Sequence, residues 1–151
     1  MTQEQKDLLL KDLCARLPYN VWVSYKAKYD DIERATILNG NYVRDIMDGT
    51  SSWVDFKPYL RPMSSMTEEE KGEMKPSLAP KGTAMFDKEG IHIPMTHTGD
   101  YVPYNFMSKI IDWLLAHHFD FMGLIDEGLA IEVTEENNPY KDKHIIKSKS
   151  K

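Results

Sequence analysis

Pro18 stands between two segments whose apolar residues repeat with different periods. Before it, Leu9, Leu10, Leu13 and Leu17 recur at the three- and four-residue intervals of a helix, and Thr2 and Gln5 have capping-box spacing, which predicts a helix over 2–17. After it, Val21, Val23 and Tyr25 alternate with Asn20, Trp22 and Ser24, as a strand with one buried face requires. Proline cannot carry the helical hydrogen bonding across this boundary. A chain that opens this way has to lay a helix against a sheet, and the expected fold class is α+β.

The β pattern continues to residue 60. "IERATIL" (32–38) reads as a second extended run, Asn39-Gly40 as a tight hairpin turn, "YVRDIM" (42–47) as the returning strand, Asp48-Gly49 as a further turn and "SWVDF" as a last strand. Residues 19–60 are therefore expected to form a small antiparallel sheet or a partly closed small barrel, since so few strands need curling or a covering helix to bury a face. Pro58 and Pro62 favour an extended path. Ser65 or Thr67 then caps a short helix over 67–74, with Glu68, Glu69 and Glu70 in the first turn, where the helix dipole favours negative charge.

Residues 75–103, rich in Pro, Gly and Thr, read as a loop in which "TAMFD" and "IHIPM" are a candidate β-ribbon. Residues 105–128 form the last helical section. Asn105 is a good N-cap, Phe106, Ile110, Trp113 and Leu114 adjoin a second stripe of Met107, Ile111, Leu114 and Leu115, and Gly128 suits a left-handed C-cap. This C-terminal helix is expected to pack on the sheet. From Thr134 apolar periodicity ends, so the expected organisation is one globular domain over 1–133 and a flexible basic tail over 134–151.

With 41% apolar and 28% charged residues the chain has a globular composition. No run approaches the roughly 20 apolar residues of a membrane span, and charges interrupt the N-terminal segment where a signal peptide would need an apolar core. The single cysteine, Cys14, cannot make an internal disulfide, and within its amphipathic helix it reads as a small buried apolar residue. The expected setting is a reducing cytoplasm, without membrane contact. Five lysines and one aspartate in 141–151 give the tail a charge of +4, which leaves −9 of the overall −5 on residues 1–140. An acidic body repels phosphates, so nucleic acid is disfavoured as a partner except through the tail.

The strings "KDLCARLPY", "KPYLRPMSSMTEEEK" and "DWLLAHHFDFMGLIDEGLAIE" together resemble a family of short uncharacterised proteins from phages and mobile elements of gut bacteria. The resemblance covers the first helix, the end of the β section and the C-terminal helix. It implies a small accessory protein working in a bacterial host's cytoplasm, and it brings no catalytic residues with it.

Candidate chemistry gathers at two places. Four of the five histidines fall within a short span, and His92, His97, His117, His118 and Asp120 make up a candidate metal site for a metal-dependent hydrolase. Adjacent His117 and His118 would diverge by about 100° on a helix, so the reading that needs no ligand has them capping free carbonyls at the helix end. The second lead is aromatic: Trp22, Tyr25, Tyr42, Trp53 and Tyr59 are candidate binding residues if exposed and core residues otherwise. No nucleophile elbow, phosphate-binding glycine loop or paired-cysteine zinc motif is present. The expected function is accordingly a macromolecule-binding, protein-interaction module without catalysis or cofactor, the expected partner being a protein. The alternatives are the metal-dependent hydrolase and nucleic-acid binding through aromatics and the basic tail.

Overall fold

The computed structural model describes residues 1–49, 53–78, 85–87, 90–92 and 104–141, and the side chains of 1–49, 54–74 and 108–141. The chain divides into two compact units, one formed by Met1–Arg61 with Met122–Lys151 and the other by Pro62–Phe121. Among the described residues no helix is long and apolar enough to cross a membrane.

The first unit begins with helix α1 (Gln3–Arg16), closed at its start by the reciprocal Thr2–Gln5 capping box. Its buried face is Leu9, Asp12, Leu13 and Arg16, so two of the four inward positions are charged. Arg16 answers Asp12 bidentately, with Nε and Nη2 donating to the two carboxylate oxygens at 2.7 and 2.9 Å. Both side chains are fully buried. Cys14 is exposed, contrary to the expectation of a buried small residue, because the buried stripe runs through its neighbour Leu13.

Strands β1 (Trp22–Ala27), β2 (Glu33–Ile37), β3 (Trp53–Leu60) and β6 (Ile131–Glu132) form a sheet in the order β2-β1-β3-β6. The first three are antiparallel neighbours and β6 runs parallel to β3. The sheet is therefore mixed and open, which corrects the expectations of a purely antiparallel sheet and of a partly closed barrel. Closure fails because the segment read as a returning strand is a helix, α2 (Gly40–Asp48). The Asn39-Gly40 hairpin is likewise overturned. The Asn39 side chain accepts from the N–H groups of Asn41 and Tyr42 as a helix N-cap, and Gly49 at φ 65° ends the helix. Tyr42, Val43, Ile46 and Met47 have helical spacing, not alternation, and Val43 is buried.

The core of this unit lies between the helices and the inner sheet face: Leu9, Leu13, Val21, Val23, Leu38, Val43, Leu60, Leu124 and Leu129 are all buried. Leu124 and Leu129 are fixed by a single helical turn ending at Gly128, φ 70°, where the Leu129 N–H reaches the Leu124 carbonyl at 2.8 Å. The segment expected to fray from Thr134 is held as far as Lys141. Thr134 N–H bonds Asn137, and the Tyr140 hydroxyl accepts from the Trp22 N–H at 3.1 Å while donating to the Tyr59 carbonyl at 2.8 Å. That hydroxyl completes the β1–β3 ladder beyond the Val23–Pro58 pair.

The second unit contains α3 (Glu68–Leu78), the short antiparallel pair β4 (Met85–Asp87) and β5 (Gly90–His92), and α4 (Tyr104–Ala116). Thr67 and Glu70 form the α3 capping box, each N–H bonding the other side chain. Met66, Met74, Ile110, Leu114 and Phe119 make a separate core, with Met63, Trp113 and Phe121 partly buried against it.

A candidate binding site on the outer face of the sheet

Strand alternation assigns the unit-one sheet two faces. Val21 just before β1, Val23 and Tyr25 of β1, and Phe56, Pro58 and Leu60 of β3 point inward, to the helices. Trp22, Ser24 and Lys26 of β1, Lys57 and Tyr59 of β3, and Ile37, Ala35 and Glu33 of β2 share the outer face, as the pairs Trp22–Ile37, Ser24–Ala35, Lys26–Glu33 and Ser24–Lys57 require. Ile37 is 40% exposed, and Trp22 and Tyr59 are half-buried.

The charged end of this face holds a cavity of about 340 Å³ lined by Ser24, Lys26, Glu33, Asp55, Lys57 and Ile131. Its geometry follows from a β-bulge. Ser24 is opposite Lys57, but Lys26 is opposite Val54, so β3 carries one extra residue there. Asp55 absorbs it at φ 56°, in the left-handed region that aspartate tolerates better than most residues. In an uninterrupted ladder Lys26 would stand opposite Asp55 and pair with it; the bulge takes that carboxylate out of register. Lys26 does have Glu33 as its neighbour on β2, but the Glu33 carboxylate accepts a 2.5 Å hydrogen bond from the Ser24 hydroxyl. Neither Lys26 nor Lys57 makes an ion pair among the described residues.

Tyr59 adjoins this cluster. Burial raises its phenol pKa, the Glu33 charge pushes it further the same way, and the Ser24 hydroxyl works against both. The ring keeps its proton as a donor.

The five aromatic candidates do not form one surface. Trp22 and Tyr59 are on the outer face, whereas Tyr25 and Tyr42 pack with Phe56 on the inner side, at centroid separations of 5.7–5.9 Å. Burial raises the Tyr42 pKa, with Tyr25 adding to it. Trp53 lies in β3, but its side chain is outside the described residues. Among the histidines, His97 and the side chain of His92 are also outside them. His117, His118 and Asp120 are consecutive with the end of α4, a Schellman turn in which His118 N–H bonds Leu115 and Phe119 N–H bonds Leu114. His118 is the left-handed residue, φ 62°, and is buried; Asp120 is buried too. His117 Nδ1 donates to the Trp113 carbonyl at 2.8 Å, and its ring stacks on Trp113 with centroids 3.9 Å apart. Among the described residues no group of three His, Cys, Asp or Glu is placed to hold a metal ion.

Nothing in the sequence alone singles out Ser24, Lys26, Glu33, Asp55, Lys57 and Ile131 as a cluster. The alternation that buries Val21 and Val23 already puts Ser24 and Lys26 on the opposite face, but outward polar residues on a strand read as solvated. A further cavity of about 340 Å³ in this unit is lined by Met1, Leu9, Ile46, Val54 and Phe56 together with charged groups. Lys6 on its wall already contacts the Met47 carbonyl at the end of α2, at 3.5 Å. Comparison of the chain with protein-family models, with curated proteins and with solved structures gives no match.

Proposed function

We propose that the protein is an interaction module without a catalytic step of its own, an accessory factor of a phage or mobile element that binds a protein partner in the cytoplasm of a bacterial host. The observation that carries this reading is the composition of the outer sheet face, where Trp22, Ile37 and Tyr59 share the face with a cavity lined by Ile131 and by two lysines that make no ion pair among the described residues. Aromatic and aliphatic side chains beside polar groups that fix orientation are the usual make-up of a protein-binding surface.

The test uses the full chain and an Ile37→Lys variant, which alters the most open apolar position of the face without touching the core. Proteins retained from bacterial lysate by the first and released by the second, then confirmed with the purified partner, support the reading. Identical retention by both, or no partner for a folded chain, overturns it.

Nucleic-acid binding is the second reading, favoured by Trp22 and Tyr59 lying beside Lys26 and Lys57 on one sheet face, since sheets of this kind stack bases on aromatics. Glu33 and Asp55 in the same cavity and the −9 charge of residues 1–140 weigh against it. The metal-dependent alternative draws on His117 and His118, but one of the His117 ring nitrogens is committed to a main-chain carbonyl. Bound zinc, manganese or iron in untagged purified protein is the measurement that would revive it.

A further inference from the structure

We infer that the Lys26–Lys57 cavity is a receptor for a single carboxylate carried by a peptide, so that the partner presents an acidic side chain to the outer face of the sheet. The inference rests on the protein-binding reading and names the chemistry of its contact. Two independent features of the strands hold the lysines available. The bulge at Asp55 shifts β3 so that Lys26 meets Val54 instead of a carboxylate, and Glu33, its neighbour on β2, has one carboxylate oxygen turned to the Ser24 hydroxyl at 2.5 Å and makes no ion pair with Lys26. Lys57 faces Ser24 across the β1–β3 ladder, and Lys26 is two residues further along β1. Both lysines line the same cavity, where two long ammonium side chains can close around one carboxylate.

The rest of the lining selects among anions. Lys26 and Lys57 are balanced by Glu33 and Asp55, so the cavity has no net charge. A phosphate dianion or a nucleic-acid backbone gains little there, since polyanions are held by clustered excess cations. A peptide offers one carboxylate for the lysines and main-chain N–H groups that the Asp55 carboxylate can accept. Ile131 gives the neighbouring aliphatic stem an apolar wall. A volume of about 340 Å³ is at the small end for ligand cavities, fitting one side chain and its adjoining main chain.

The experiment pans a random linear peptide library on the full-length chain and titrates the enriched peptides by calorimetry. The expected result is a shared Asp or Glu position, about tenfold or greater weakening when that residue is made Gln or Asn, and the same loss in the Lys26→Gln, Lys57→Gln variant with little further loss when both changes are combined. Peptides without a shared acidic position, or amide variants that bind as well as the acids, overturn the inference. So does tighter binding of inorganic phosphate or of a single-stranded oligonucleotide than of any acidic peptide. Should the double lysine variant fail to fold, the acid-to-amide series decides alone. A lysate partner lost on Ile37→Lys together with charge-insensitive peptides would leave the protein-binding reading standing and remove this one.

Discussion

Asp12 and Arg16 put two opposite charges into the centre of the first unit, on the face of α1 that also carries Leu9 and Leu13. Such a pair contributes little as a whole, because desolvation offsets most of its attraction, but each charge depends on the other. Asp12→Asn removes the bidentate counter-charge of the buried Arg16 and is expected to cost about 3–5 kcal/mol, read from urea unfolding. Replacing the pair together, Asp12→Leu with Arg16→Met, should recover most of that loss. Tyr140 depends on a hydroxyl in the same way. Tyr140→Phe leaves the Trp22 N–H and the Tyr59 carbonyl without their bridge, at about 1–3 kcal/mol. Burial holds the Tyr140 phenol well above the ordinary tyrosine range, while the Trp22 hydrogen bond and the Arg16 charge only partly counter it. The folded chain therefore keeps this proton more tightly than the unfolded one, so its contribution is intact below about pH 10 and declines above it. Urea midpoints measured into the alkaline range should fall more gently for Tyr140→Phe than for the parent, with a remaining slope from Tyr42 and Tyr59, whose pKa values are raised too.

At the scale of elements, helix ends and one bulge decide the architecture. α2 exists because Asn39 satisfies two N–H groups at its start and Gly49 takes the left-handed conformation at its end. Asn39→Ala is expected to cost about 1 kcal/mol in thermal unfolding and Asn39→Asp close to nothing, since both Asn and Asp cap well. A hairpin turn at Asn39-Gly40 would respond differently, through the loss of positive φ. α4 ends in the same manner with a less common residue, His118, in the left-handed position, and the motif brings Phe119 back onto Leu114 in the core of the second unit. In β3 the extra residue at Asp55 changes which side chains face each other across the ladder, and it puts Val54 instead of Asp55 opposite Lys26.

At the scale of the molecule, the described side chains form two hydrophobic clusters with no residue in common, one for each compact unit. Leu13 is fully buried in the first and Leu114 is buried in the second. Truncation of either to alanine should cost about 2–5 kcal/mol by loss of transfer energy and creation of a cavity. In hydrogen exchange, Leu13→Ala is expected to lower protection most in α1, β1 and β3, and Leu114→Ala most in α3 and α4. Equal loss throughout the chain after either change would show that the two clusters respond as one.

Local signals were sufficient wherever an element is specified by its own residues. The Thr2–Gln5 box, the stop at Pro18, the Val21–Val23 alternation and the turn at Gly128 all follow from spacing and conformational preference within a few positions. Asn39-Gly40 misled because the same two residues suit a type I′ turn and a helix start, and only the apolar positions at 42, 43, 46 and 47 separate the two. What tertiary structure alone decided is non-local: the parallel placement of β6 beside β3, the return of Tyr140 to bridge β1 and β3, and the bulge that leaves Lys26 opposite Val54. Each depends on which strand lies beside which, a matter of register between residues far apart in the chain. Lys26 and Lys57 look like ordinary solvated charges in the sequence, and pairing across the ladder is what makes them a site.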